Sequence, residues 1–148
     1  MNSKKSLIAA IMLMAATGAA HAEPPSSPQA TLARILACES IAESSKPAVV
    51  EKLIKDIGAQ TDERAGKIAW YTLPDPIKVL GYEVTGIVAS YGDKPWYIAV
   101  IKNVELQSVV QALKLESDKD GEEWVRVEGK RKIIVKGDDE ELGLGCYL

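Results

Sequence analysis

Cys38 and Cys146 are the only thiols in the chain, and they lie more than a hundred residues apart. An even number of cysteines in a chain that opens with an export signal predicts one disulfide, here a clasp between the first helix and the last strand. Closing a loop of that length is worth about 4–5 kcal/mol in the chain-entropy picture. The spacing is unlike the short C-x-x-C loop of a redox-active pair. Ile35-Leu36-Ala37-Cys38 has the outline of a lipoprotein acceptor site. However, the polar stretch 23–34 separates it from the apolar run, so lipidation is not expected.

Other reactive groups are few. The single histidine, His21, and all three methionines (Met1, Met12 and Met14) fall in the first 22 residues, and there is no Phe. Lys4-Lys5, an uncharged run from Ser6 to Ala20, and Ala20-His21-Ala22 form the charged start, apolar centre and small-residue cleavage pattern of a signal peptide. The uncharged run is shorter than the roughly 20 residues that span a bilayer. The expectation is an exported, periplasmic protein cleaved near Ala22, with no membrane span after removal of the signal. Loss of Lys4 and Lys5 takes the net charge from −3 to −5. With no remaining histidine, His-based catalysis is excluded, no metal or cofactor is expected, and an acidic exported chain is not expected to bind nucleic acid.

The carboxylates gather at Asp118 to Glu123 and at Asp138 to Glu141. Paired carboxylates serve glycoside hydrolysis, but both groups lie in turn-like sequence, where solvated loops are expected. Glu116 to Gly121 imitates the start of a calcium loop, yet the twelfth position, which needs a bidentate Glu, is Val127. Gly143-Leu144-Gly145 precedes no helix and so is not a phosphate loop. A Ser/Lys pair has no motif to support it.

The elements that must position these groups read as ααβββαβββ. Residues 23–27 are expected to be a flexible leader, and 28–148 a single domain. Ser27 caps a helix that starts at Pro28, with Leu32, Ile35, Leu36 and Ile41 on its stripe. Ser45 caps a second helix, with Pro47 in its first turn, Val49, Val50, Leu53, Ile54 and Ile57 on its apolar side, and Gly58 as its stop. Residues 59–66 read as loop. The period then becomes two: strands over 67–73 and 79–91, interrupted by Pro74-Asp75-Pro76, and a partner strand over 96–102 after the Gly92–Pro95 turn. Asn103 caps a third helix carrying Leu106, Val109, Val110 and Leu113. Strands follow at 123–127, 131–136 and 142–148. Tight turns make the pairings antiparallel, so the fold class is α+β: an N-terminal helical hairpin packed on an antiparallel sheet of five to six strands, with one disulfide. At the level of fold alone, this architecture is similar to that of small bacterial envelope inhibitor and accessory modules.

One surface stands out. If the turn at Gly129 sets Val125 opposite Ile133, then Trp124 lies opposite Ile134 and Arg126 faces Lys132. An outward face made of Trp124, Arg126, Lys132 and Ile134 suits an anionic or amphipathic partner; a solvated face with lysine guarding an edge is the plainer reading. The pairs Trp70-Tyr71 and Trp96-Tyr97 add a condition. Neighbours on a strand point to opposite faces. Helices on one side only would leave one aromatic of each pair on the other side, whereas cover on both sides would make all four core. The expected function is a small non-enzymatic periplasmic binding protein (an inhibitor, immunity-type partner or envelope accessory) that takes a protein or an anionic envelope partner. The alternatives are a structural envelope component, marked by self-association, and a carboxylate or Ser/Lys hydrolase.

Overall fold

The computed structural model describes residues 27–39 and 46–147. The signal segment, its cleavage site and most of the leader lie outside these residues, as do Ile41 and Ser45. Three helices, α1 (Pro28–Leu36), α2 (Pro47–Asp56) and α3 (Leu106–Ala112), accompany eight strands: β1 (Gln60–Ala65), β2 (Ile68–Val79), β3 (Tyr82–Ser90), β4 (Trp96–Lys102), β5 (Glu116–Ser117), β6 (Trp124–Glu128), β7 (Arg131–Gly137) and β8 (Glu141–Tyr147). All pairings are antiparallel, and the strands form one open sheet in the order β1-β2-β3-β4-β8-β7-β6-β5. The α+β class holds. The strand count is eight, not five to six, and the order is ααββββαββββ.

The helices form where caps and apolar spacing direct them. Ser27 Oγ accepts from the Ala30 N–H at 3.2 Å, and Pro28 takes the first helical position. Leu32, Ile35 and Leu36 of α1 pack with Val50 and Ile54 of α2, all 3% exposed or less. Gly58, at φ +79°, ends α2 in a conformation that glycine adopts freely. The cap of α2 is Lys46, which makes no side-chain cap bond. The N-terminus of α3 is not capped by Asn103. Glu105 holds the cap position, and the Leu106 N–H donates to Asp139 Oδ1 at 2.8 Å.

Two expected loops are strands. Gln60–Ala65 pairs with β2 as an exposed edge strand, its polar QTDERA sequence reflecting the lack of cover. Glu116–Ser117 adds a two-residue strand beside β6. Pro74-Asp75-Pro76 does not end β2, because the register with β3 shifts between Thr72 and Ile77. In that irregularity the prolines owe no ladder hydrogen bond. The single long strand expected over 79–91 is instead a hairpin turn, Leu80 (φ +51°) and Gly81 (φ +87°), followed by β3.

The expected disulfide is absent. Cys38 and Cys146 are both free thiols, not at bonding distance. The two residues are nonetheless neighbours across the α1–β8 contact: Cys38 Sγ lies 3.8 Å from Gly145 O, and Cys146 Sγ lies 3.9 Å from Ile35 O.

Candidate functional site

The alternation of the strands sorts the sheet into two unlike faces. Ala69, Tyr71, Ile87, Ala89, Tyr97, Ala99, Ile101, Ile133, Val135, Leu142 and Leu144 point toward the helices and join Leu32, Val50 and Val109 in one core. The residues between them point the other way and lie outside that core. The helix residues of that cluster, among them Leu36, Ile54 and Val110, belong to the core on the first face. The ladder brings one such residue from each strand into a row that crosses the full sheet: Glu63, Trp70, Val88, Ile98, Gly145, Ile134, Val125 and Glu116. Its six central positions are apolar or glycine. The flanking rows carry Ile68 and Trp96 on one side, and Thr72, Gly86, Val100 and Gly143 on the other.

Glycine shapes this face at two points. A Cβ on Gly143 would stand 2.9 Å from Ile98 Cγ2, and one on Gly145 would stand 3.2 Å from Ile98 Cγ1. The Ile98 side chain therefore lies across β8, over both glycines. An open groove of about 180 Å³ runs here, with Trp96, Ile98 and Ile134 among its walls. A wider one of about 480 Å³ lies over Trp70, Gly86, Val88 and Val100, with Lys102 and Glu141 at its rim. That pair is exposed, with Lys102 Nζ 4.0 Å from Glu141. A partly exposed apolar row on one side of a sheet is a candidate docking surface. The groups brought together can bury apolar area and align an ion pair.

The expected hairpin patch is not one surface. β6 and β7 pair one residue out of the expected register: Trp124 stands opposite Val135, Val125 opposite Ile134, and Arg126 opposite Ile133. A slip of one residue moves a strand's whole set of side chains to the other face. Trp124 and Arg126 therefore face the helices, while Lys132 and Ile134 lie on the uncovered side. Trp124 packs on the core. Arg126 donates to Leu113 O at 2.6 Å, closing the end of α3, and its Nε lies 2.9 Å from Glu128. The aromatic pairs divide as one-sided cover requires: Tyr71 and Tyr97 are buried, and Trp70 and Trp96 are half-buried on the uncovered face. The residues that sequence reasoning missed are Val88, Ile98 and Val100. The signal was present in the alternation of β3 and β4, but it marks a second apolar face only once one face is known to be bare.

Two polar clusters lie on or beside the core side. Tyr71 and Tyr91 share a hydroxyl–hydroxyl hydrogen bond of 2.8 Å, and the Arg64 guanidinium sits 5.7 Å from the Tyr91 ring centre. Burial, then the bond to Tyr71, pushes the Tyr91 phenol above its ordinary range. Burial alone pushes Tyr97 up to about 12. Around the thiols, Arg131 donates to Cys38 O at 3.2 Å and is bonded to Glu128. A hydrogen bond between the two free thiols, then burial, raises Cys38. The same bond, with help from Arg131, lowers Cys146 against the opposing effect of its own burial. The acidic turns are self-contained: Asp118 Oδ1 accepts from the Glu122 and Glu123 N–H groups, and Asp138 Oδ1 from those of Glu140 and Glu141.

No helix among the described residues is long and apolar enough to cross a membrane. No protein-family model, no curated protein and no solved structure matches this chain.

Proposed function

We propose that this is an exported, non-enzymatic binding protein whose docking surface is the uncovered face of its sheet, and that its partner is a protein. One observation carries the reading: the apolar row from Trp70 to Val125, outside the core and, among the described residues, without a helical layer over it. Half-buried tryptophans on such a face, Trp70 and Trp96, are the residue type that anchors protein interfaces. The location rests on the signal-like start of the chain. An anionic partner is less favoured than the sequence implied, because Lys132 and Ile134 no longer share a surface with Arg126 and Trp124.

The test is comparative. Wild type and the double variant Trp70→Ser/Trp96→Ser are immobilised and exposed to the same envelope extract. Circular dichroism should show both folded. Partners retained by wild type and lost by the variant support the reading. Identical retention would remove this face from consideration.

A further inference from the structure

We infer that the partner on this face is a second copy of the chain, packed sheet on sheet about a two-fold axis that runs along the strands between β4 and β8. The inference rests on the docking-face reading above and names its occupant. Such an axis keeps each residue's height along the strands and exchanges the two edges of the sheet. It lays β4 over the partner's β8, β3 over its β7, and β2 over its β6.

The register makes the consequences specific. Val88 faces Ile134 across the interface, and Trp70, the largest side chain in the row, faces the smaller Val125. At the axis the two Ile98 side chains, each lying across its own β8 over Gly143 and Gly145, stack on one another. One row pair further along, Val100 faces Gly143. Beyond it Lys102 faces the partner's Glu141, and Glu141 the partner's Lys102, so the exposed ion pair of one chain becomes a four-charge square. One operation thus matches the central row in bulk and Lys102 with Glu141 in charge, as an isologous interface requires, and sets Lys136 over the partner's Gly86. The outermost pair, Glu63 over Glu116, is of like charge, but it stands at the solvated rim where salt screens it.

The size is adequate. Eight strands about 4.8 Å apart and three residue rows about 6.8 Å apart give a patch of ~700 Å² per copy, against the roughly 800 Å² of a standard interface. Interdigitating single layers of side chains match the ~10 Å spacing of packed sheets.

Sedimentation velocity on the purified chain over a range of concentrations is the first measurement, and a dimer is expected. Ile98→Lys places two ammonium groups at the axis and should weaken dimerisation by roughly a hundredfold or more. Lys102→Glu and Glu141→Lys should each weaken it by about tenfold, since each homodimer sets like charges together twice. An equimolar mixture of those two variants should regain wild-type affinity, because the carboxylates of one chain then face the ammonium groups of the other at both ends of the square. An effect confined to one chain would not be rescued by mixing. A monomer at all concentrations overturns the inference, as does a dimer insensitive to Ile98→Lys or one that mixing fails to restore. If the chain is monomeric while envelope capture still depends on Trp70 and Trp96, only the choice of occupant falls. If capture is also indifferent to them, the docking reading falls with it.

Discussion

The two faces of the sheet are built from similar residues and differ in what lies over them. Ile133 and Val135 beneath the helices are 1% and 0% exposed. Ile98, Val88 and Val125 on the other side, of the same residue types, are half-buried and excluded from the core. Burial of Ile133 and Val135 comes from the second layer, whereas on the other face only Ile134, 8% exposed, is buried among the row's large side chains. A strand apolar on both faces can therefore be read as core on one side only after its cover is known.

The sharpest way to break that comparison is a buried charge. Ile133→Asp should abolish folding, seen as loss of the cooperative thermal transition, because an unpaired carboxylate cannot be solvated beneath the helices. Val125→Asp, on the bare face next to the β5 edge, should leave a folded protein with a modestly lower Tm. Equal damage from both would mean that the bare face is covered within one chain.

A second contrast uses cations on adjacent strands. Arg126→Ala removes the bond to Leu113 O and one of the two arginine partners of Glu128, and should cost roughly 1.5–3 kcal/mol in denaturant unfolding. Lys132→Ala, on the bare face, should change stability by less than about 0.5 kcal/mol. The reversal of this order would restore the expected patch.

The tyrosines sharpen the picture by titration. A phenol raised in the folded state stabilises below its unfolded value of about 10. That contribution is lost as pH climbs through the folded value, which for Tyr97 is about 12. Alkaline unfolding should therefore steepen between these limits. Tyr97→Phe should flatten it while leaving neutral-pH stability unchanged or slightly higher, since the Tyr97 hydroxyl is buried without a partner among the described residues. An unaltered alkaline profile would show that Tyr97 is solvated.

The smallest effect concerns the thiols. Cys146, half-buried and lowered, should alkylate before Cys38, which is 1% exposed and raised. Mass spectrometry of partly labelled folded protein reads the order directly. Cys38 labelling first would contradict the geometry of the α1–β8 contact.

What could be read in advance has a common physical basis. Ser27, Pro28, Gly58 and the stripes of α1, α2 and α3 act within a few residues of where they stand, so the cap of α1, the stop of α2 and the apolar spacing were legible, whereas the caps expected for α2 and α3 were not the residues that hold those positions. The split of Trp70 from Tyr71 and of Trp96 from Tyr97 follows from the strand period. β1 was not legible, because an edge strand with no buried face carries no apolar alternation; its pairing is supplied by β2. The prolines of β2 were read as an end because the register shift that accommodates them exists only in the paired sheet. The hairpin patch failed for a related reason. Register between β6 and β7 is a property of two strands and the turn between them, and one residue of slip exchanges the faces. The sequence by itself determined the helices, most of the strands and the antiparallel α+β class, since these follow from local periodicity and turn chemistry. Only the tertiary structure decided which apolar face is covered, which of Trp124, Arg126, Lys132 and Ile134 share a surface, and whether the two thiols are bonded, since each depends on where distant segments come to rest.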